Sequence, residues 1–210
     1  MKKCIVGMTL ILCLIFPVSS FSGQPTEAVK GNLDKVLDVL RDPSLKAESA
    51  KKAKKDKMRD ISEKMFDFTE LSKRSLGKNW SKFNPDQQKE FVGLYKSLLE
   101  DAYADKIMLY KDVKIVFSKE VALTEKTVEV QSTVLRKSGE VPIYYRVIMK
   151  DGVWKVYDVV IEGISLINNY RSQFKEILVN KPPESLLETL RKKVDKAYAV
   201  HKKSECYKLL

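Results

Sequence analysis

The sequence predicts an α+β domain in which several helices pack on a four-stranded antiparallel twisted sheet. Three observations carry that prediction. Apolar residues recur at three-and-four spacing as far as about Ile107, and after Val113 the pattern turns to β-rich runs separated by tight-turn pairs. Helical spacing then returns within one stretch, VWKVYDVVIEGISLINNYRSQF, which begins at Val153.

Residues 1–22 read as a secretory leader. Lys2 and Lys3 precede an apolar run from Ile5 to Phe16, too short to span a bilayer, and Ser20 and Ser22 put small side chains at a cleavage site near Ser22. Leu12, before Cys13, is too large for a lipid-anchor site. Cys4 and Cys13 leave with the leader, so Cys206 stays alone and no internal disulfide forms. About 188 residues remain, 23–210, which suits one domain with its own core. Loss of Lys2 and Lys3 brings the formal charge of +11 to about +9. Such an excess either aids solubility alone or fits acidic partners, which for an exported chain are anionic lipid headgroups or acidic protein patches rather than nucleic acid.

Val29, Leu33, Val36, Leu37 and Leu40 place a first helix over Thr26 to Leu40, and Pro43 stops it. A second helix is expected from Lys46 to Phe66. Its middle, Lys51 to Lys57, is nearly all lysine and alanine, a strip of the kind most often simply solvated. Phe66 to Trp80 reads as a short helix with Phe68, Leu71 and Leu76 on one side and Gly77 as terminator. Asn84, Pro85 and Gln87 spell a reciprocal helix start. The long helix that follows carries Phe91, Leu94, Tyr95, Leu98, Leu99, Ala102, Tyr103 and Ile107 on one face, a wide stripe that must cover something large.

Four strands are expected at Val113 to Ser118, Thr127 to Arg136, Glu140 to Lys150 and Val153 to Ile161. The turn pairs Ser138-Gly139 and Asp151-Gly152 make the last three an antiparallel meander. Val141, Ile143, Tyr145, Val147 and Met149 alternate onto one face. On the last strand Trp154, Val156 and Val160 are set opposite Val153, Tyr157, Val159 and Ile161, so helices should cover parts of both faces.

Gly163 supplies a corner and Ser165 a cap for the next helix, whose stripe is Ile167, Tyr170, Phe174, Ile177 and Leu178. Arg171 falls in that stripe and needs a carboxylate; Asp158 or Glu162 is the expected partner. After Pro182 and Pro183 a final helix with Leu186, Leu187, Leu190 and Val194 leads into a basic tail, about residues 199–210, expected to be loose.

Trp154, Val156, Tyr157, Asp158, Gly163, Ser165 and the run Asn169 to Phe174 closely resemble the signature of the MlaC family, also called the toluene-tolerance auxiliary family. Phe68, Leu71, Gly77 and Trp80 are similar to a second family pattern, and the resemblance extends from Thr26 to about Leu190. It implies an α+β fold with an apolar pocket and a periplasmic phospholipid carrier. Such a carrier serves outer-membrane lipid asymmetry, moving phospholipid between an outer-membrane lipoprotein complex and an inner-membrane MCE-type ABC transporter complex, with tails buried and headgroup exposed. The lysine-rich second helix and the basic tail depart from the family.

Candidate walls of that pocket come from four places. The short helix and its exit offer Leu71, Leu76 and Trp80; the long helix offers Phe91, Leu94, Leu98, Leu99 and Tyr103. The sheet offers Tyr145, Val147, Trp154, Val156 and Val159, and the corner and its helix offer Ile164, Leu166, Ile167, Tyr170 and Phe174. Asp158 and Arg171 are the expected structural pair.

An enzyme is disfavoured by chemistry. His201 is the single histidine, no base is available for a serine or cysteine nucleophile, and no metal-ligand spacing or phosphate-binding glycine loop is spelled. No catalytic residue, metal or cofactor is expected, the bound phospholipid being ligand. A monomer is expected, and the alternative reading is a non-lipid adaptor that binds a protein partner.

Overall fold

The computed structural model describes residues 23–108 and 110–206; the expected leader at 1–22 and residues 207–210 lie outside the described residues. Helix α1 spans Gln24–Arg41, α2 Lys51–Met65, α3 Phe68–Leu76 and α4 Pro85–Met108. Strands follow at Lys114–Thr124 (β1), Thr127–Arg136 (β2), Gly139–Lys150 (β3), Val153–Ile161 (β4) and Ile164–Ser165 (β5). Helices α5, Leu166–Ile177, and α6, Pro183–Cys206, close the chain.

Side chains start the helices as their chemistry requires. Asn84 Oδ1 accepts from Gln87 N at 2.9 Å, and Asn84 N donates to Gln87 Oε1 at 3.1 Å, so two orphan amides of α4 are paired reciprocally. Asp67 caps α3 at Glu70 N (2.9 Å) and Ser165 caps α5 at Asn168 N (3.1 Å). Gly77 ends α3 at φ 54, ψ −126, where a Cβ would clash with its own backbone. Helix α1 is capped from far along the chain. Glu120 of β1 accepts from Gly23 N, Thr26 N and Thr26 Oγ1 at 3.1, 2.9 and 2.7 Å.

The expected elements are present with four differences, the first being that β1, expected to stop at Ser118, runs on to Thr124 in its hairpin with β2. The second helix starts at Lys51, because Pro43–Leu45 and Glu48–Ala50 form 3-10 turns, the first capped by Asp42 at Ser44 N and drawn inward by buried Leu45. The sheet has five strands rather than four, the fifth being the two residues that pair Ile164 with Ile161. The tail from residue 199, expected to be loose, continues α6 as backbone helix through Cys206.

The sheet runs β1-β2-β3-β4-β5, each neighbour antiparallel. One irregularity sets what its faces carry. Arg146 pairs with Asp158 but Val147 pairs with Val156, so Tyr157 is an extra residue in β4. Beyond this bulge the alternation inverts. Trp154, Val156, Val159 and Ile161 therefore share a face with Val141, Ile143, Tyr145 and Val147, while Val160 joins Tyr157 and Asp158 on the other; the expected grouping of Val156 with Val160 is corrected.

The first face is covered by α1 and the end of α2, where Val29, Met65, Val130, Val147 and Val156 are buried. The second face meets α3 and α5 along β4, with α4 and α6 packed behind them. Leu71, Phe91, Tyr95, Leu186 and Leu187 have no exposed surface, and each such side chain contributes about 1.5–3 kcal/mol on leaving water.

Candidate lipid-binding site

The expected wall residues separate onto opposite faces of the sheet. Tyr145, Val147, Trp154, Val156 and Val159 lie in the core under α1 and α2. Leu71, Leu76, Trp80, Phe91, Leu94, Leu98, Leu99, Tyr103, Leu166, Ile167, Tyr170 and Phe174 gather in the helical layer on the other face. Alternation and the Tyr157 bulge turn the strand residues toward α1 and α2 and away from α4 and α5, so the two groups sit on opposite sides of the sheet.

Within the helical layer, aromatic rings are packed edge to face. Tyr95 lies 5.0 Å from Tyr170 and 5.1 Å from Phe174, and Phe91 lies 5.4 Å from Phe174. Tyr95 Oη shares a 3.2 Å hydrogen bond with Ser75 Oγ. Burial pushes the Tyr95 phenol far above its ordinary value, so it stays neutral. Sequence reasoning placed Tyr95 on the stripe of α4 but not among the wall residues.

This layer opens at one rim. Leu94, Leu98, Tyr103, Leu166 and Tyr170 are half-buried, whereas Ile164, 66% exposed at the corner, pairs with Ile161 and so shares the α1 face. Glu162 at φ 49 and Gly163 at φ 83 turn the chain sharply and push Ile164 outward. Burial raises the Tyr170 phenol, and neighbouring Tyr103 raises it further. An apolar rim with neutral phenols can receive hydrocarbon at no cost in ionised groups.

The ionic partners differ from those expected. Arg171 does not meet Asp158 or Glu162; its Nε and Nη2 donate to Arg74 O at 3.0 and 2.7 Å, closing a terminal carbonyl of α3. Asp158 is already satisfied. Its Oδ2 accepts from Ser165 Oγ at 2.7 Å and Arg146 Nη1 at 3.1 Å, and its Oδ1 accepts from Ile167 N at 3.1 Å. Arg146 also donates from Nε to Glu129 Oε2 at 3.0 Å. A guanidinium from the neighbouring strand, at matched register, reaches Asp158 before one on α5 can. Only the pairing of strands could have identified Arg146 and Glu129.

Among the described residues, two clefts stand out, of about 270 and 310 Å³. The first lies between α1 and β1, beside Leu33, Leu37, Ile115 and Phe117; the second lies between α1 and α2, beside Val39 and Ile61. Both are bordered by charged residues, Lys30, Asp34 and Arg41 at the first and Lys35, Asp38, Lys57 and Asp60 at the second. The apolar pocket expected between the long helix and the sheet is neither of these clefts. In this conformation that space is occupied by the aromatic packing just described.

The MlaC protein family model matches residues 30–192. The toluene tolerance protein ttg2D of Pseudomonas putida is 26% identical over 172 residues, 80% of each chain. The intermembrane phospholipid transport system binding protein MlaC of Haemophilus influenzae is 26% identical over 117 residues, 53% of this chain and 55% of that one. The phospholipid-binding protein from Ralstonia solanacearum, solved in complex with a phospholipid, superposes with a TM-score of 0.74 at 26% identity, over 83% of this chain and 99% of that one.

Proposed function

The chain belongs to the MlaC family, and from that premise we propose that it is a periplasmic phospholipid carrier, monomeric and not an enzyme. It takes lipid at the rim formed by Leu94, Leu98, Tyr103, Leu166 and Tyr170, burying the tails and leaving the headgroup in water. The observation that carries this reading is the likeness of nearly the whole domain to a protein solved with phospholipid bound. The half-open apolar rim supports it.

The energetics define what the protein must do. A diacyl lipid has on the order of 30 methylenes at roughly 0.8 kcal/mol each, so bare chains in water would cost ~20 kcal/mol or more. Covering them in protein costs little relative to a bilayer, which makes exchange reversible. Since the layers are packed in the present conformation, loading separates the α4–α5 wall from the sheet, and the half-buried rim parts first. The delivery route that follows from family membership runs between an outer-membrane lipoprotein complex and an inner-membrane MCE-type ABC transporter.

A phospholipid with a fluorescent, water-quenched acyl tail tests this directly. Mixed with the protein, the tail gains fluorescence and saturates near one lipid per chain. A signal no different from that with an unrelated folded protein would overturn the reading.

A further inference from the structure

The pole of the molecule that carries Ile164 also gathers cations. Contacts along the backbone fix which elements meet there. Arg41, at the end of α1, donates from Nε to Lys111 O (2.9 Å) and from Nη2 to Val113 O (3.1 Å), tying α1 to the start of β1. Lys54 donates to Leu40 O at 3.4 Å and Lys57 lies 3.7 Å from Asp42, which brings the first turns of α2 to the same place. Helix α2 runs antiparallel to α4, with Glu63 against Lys96 and Arg59 against Glu100, so its amino end lies beside the last turns of α4. In the sheet Lys114 pairs with Leu135, next to Arg136, and Ile143 pairs with Ile161, at the edge where Ile164 emerges.

Residues 46–57 hold six lysines against two acids. Four of those lysines occupy the first five positions of α2, with no acid in its first turn and no side-chain cap at Ala50. Cations there oppose the helix macrodipole, so the fold would be more stable without them. Among the described residues no carboxylate lies within ion-pair distance of Lys52 or Lys55. Across the pole Arg136 stacks on Tyr110 at 5.6 Å, and exposed Lys137 follows it. Asp42, Asp112, Glu140 and Glu162 share this end but do not balance the lysines.

The chemistry separates two kinds of partner. A protein interface is built around a desolvated aromatic or aliphatic centre with charges depleted, and the exposed residues of α2 are all charged apart from Ala53. An anionic bilayer requires cations spread over a surface, and it welcomes an apolar residue at the headgroup boundary. Ile164 at 66% and Val116 at 40% exposure, both at this pole, are such residues.

We propose that this pole docks directly on an anionic lipid bilayer, the α2 lysines and the Arg136–Lys137 turn meeting lipid phosphates while the rim faces the membrane. The placement of the rim rests on the carrier reading, but the docking is measured apart from cargo. The leaderless chain is sedimented with phosphatidylcholine vesicles, with and without phosphatidylglycerol, at low and high salt. Wild type should sediment with the phosphatidylglycerol vesicles alone and be released by salt. The variant Lys52→Glu/Lys55→Glu/Lys137→Glu should bind on the order of a hundredfold more weakly, with its circular dichroism and co-purified lipid unchanged. Equal sedimentation of variant and wild type, equal binding to both vesicle types, or no binding by wild type would each overturn the docking. Loss of co-purified lipid from wild type would instead count against the carrier reading.

Discussion

Arg146 Nη1 lies 3.1 Å from Asp158 Oδ2, across two neighbouring strands, where Asp158 also holds the first turn of α5 through Ser165 and Ile167 N. That carboxylate joins β3, β4 and α5 at one point. Its side chain is 2% exposed, against 31% for Arg146, so removing the acid leaves a half-solvated cation and three lost hydrogen bonds.

Asp158→Ala should therefore destabilise the fold by about 3 kcal/mol, the low end for breaking a buried pair because Arg146 keeps access to water. Urea unfolding measures it. In double-mutant cycles Asp158 should couple to Arg146, whereas Asp158 and Arg171 should add within about 0.5 kcal/mol. Coupling of Asp158 to Arg171 instead would restore the partner expected from sequence.

Asp67 supplies the pH dependence. Burial alone would raise its carboxyl, but the Lys150 ammonium at 2.7 Å and the amides of the first turn of α3 outweigh that and hold it below the ordinary value of 3.8. A lowered folded value means the stabilisation is fully present above the unfolded value and is lost as pH falls through the folded one. Asp67→Asn should cost about 1–2 kcal/mol at pH 7 and much less near pH 2. Parallel acid limbs for the two proteins, in urea titrations at both pH values, would contradict this.

Glu120 predicts a local effect at long range. Glu120→Ala removes the acceptor for Gly23 N and Thr26 N, and the start of α1 should fray at a cost of about 1 kcal/mol. Hydrogen exchange should quicken in the first turn of α1 while α4 stays protected. Uniform acceleration across the domain would show that the contact holds more than the helix end.

The rim separates site from core. Leu98→Trp adds bulk where the layer is half-open and should lower lipid uptake severalfold with little loss of stability. Val156→Trp, behind the sheet, overpacks a fully formed core and should cost about 1–3 kcal/mol while leaving uptake by the surviving folded fraction intact. Fluorescent-lipid uptake alongside thermal melts distinguishes them, and the reverse ranking would move the site to the face under α1.

Much of the fold was legible because its signals are local. The Asn84–Gln87 box, the Gly77 stop, the Ser165 cap and the Asp151-Gly152 turn each act within a few residues, and the structure shows them where their chemistry put them. What stayed hidden depends on distant pairing. The Tyr157 bulge inverts the faces of β4, so Val156 and Val159, which simple alternation sets opposite each other, share the face under α1. The partner of Asp158 and the Glu120 cap are chosen by strand register and by segments about a hundred residues apart. The packed helical layer could not be foreseen, because an apolar stripe reads alike whether it covers lipid or other side chains.

The carrier account is tested most directly by native mass spectrometry of the protein purified from periplasm without detergent. The account predicts a species heavier than the leaderless polypeptide by the mass of one phospholipid, which dissociates on activation to the polypeptide alone. The polypeptide mass as the only species, from a preparation that is folded and freshly isolated, would contradict it.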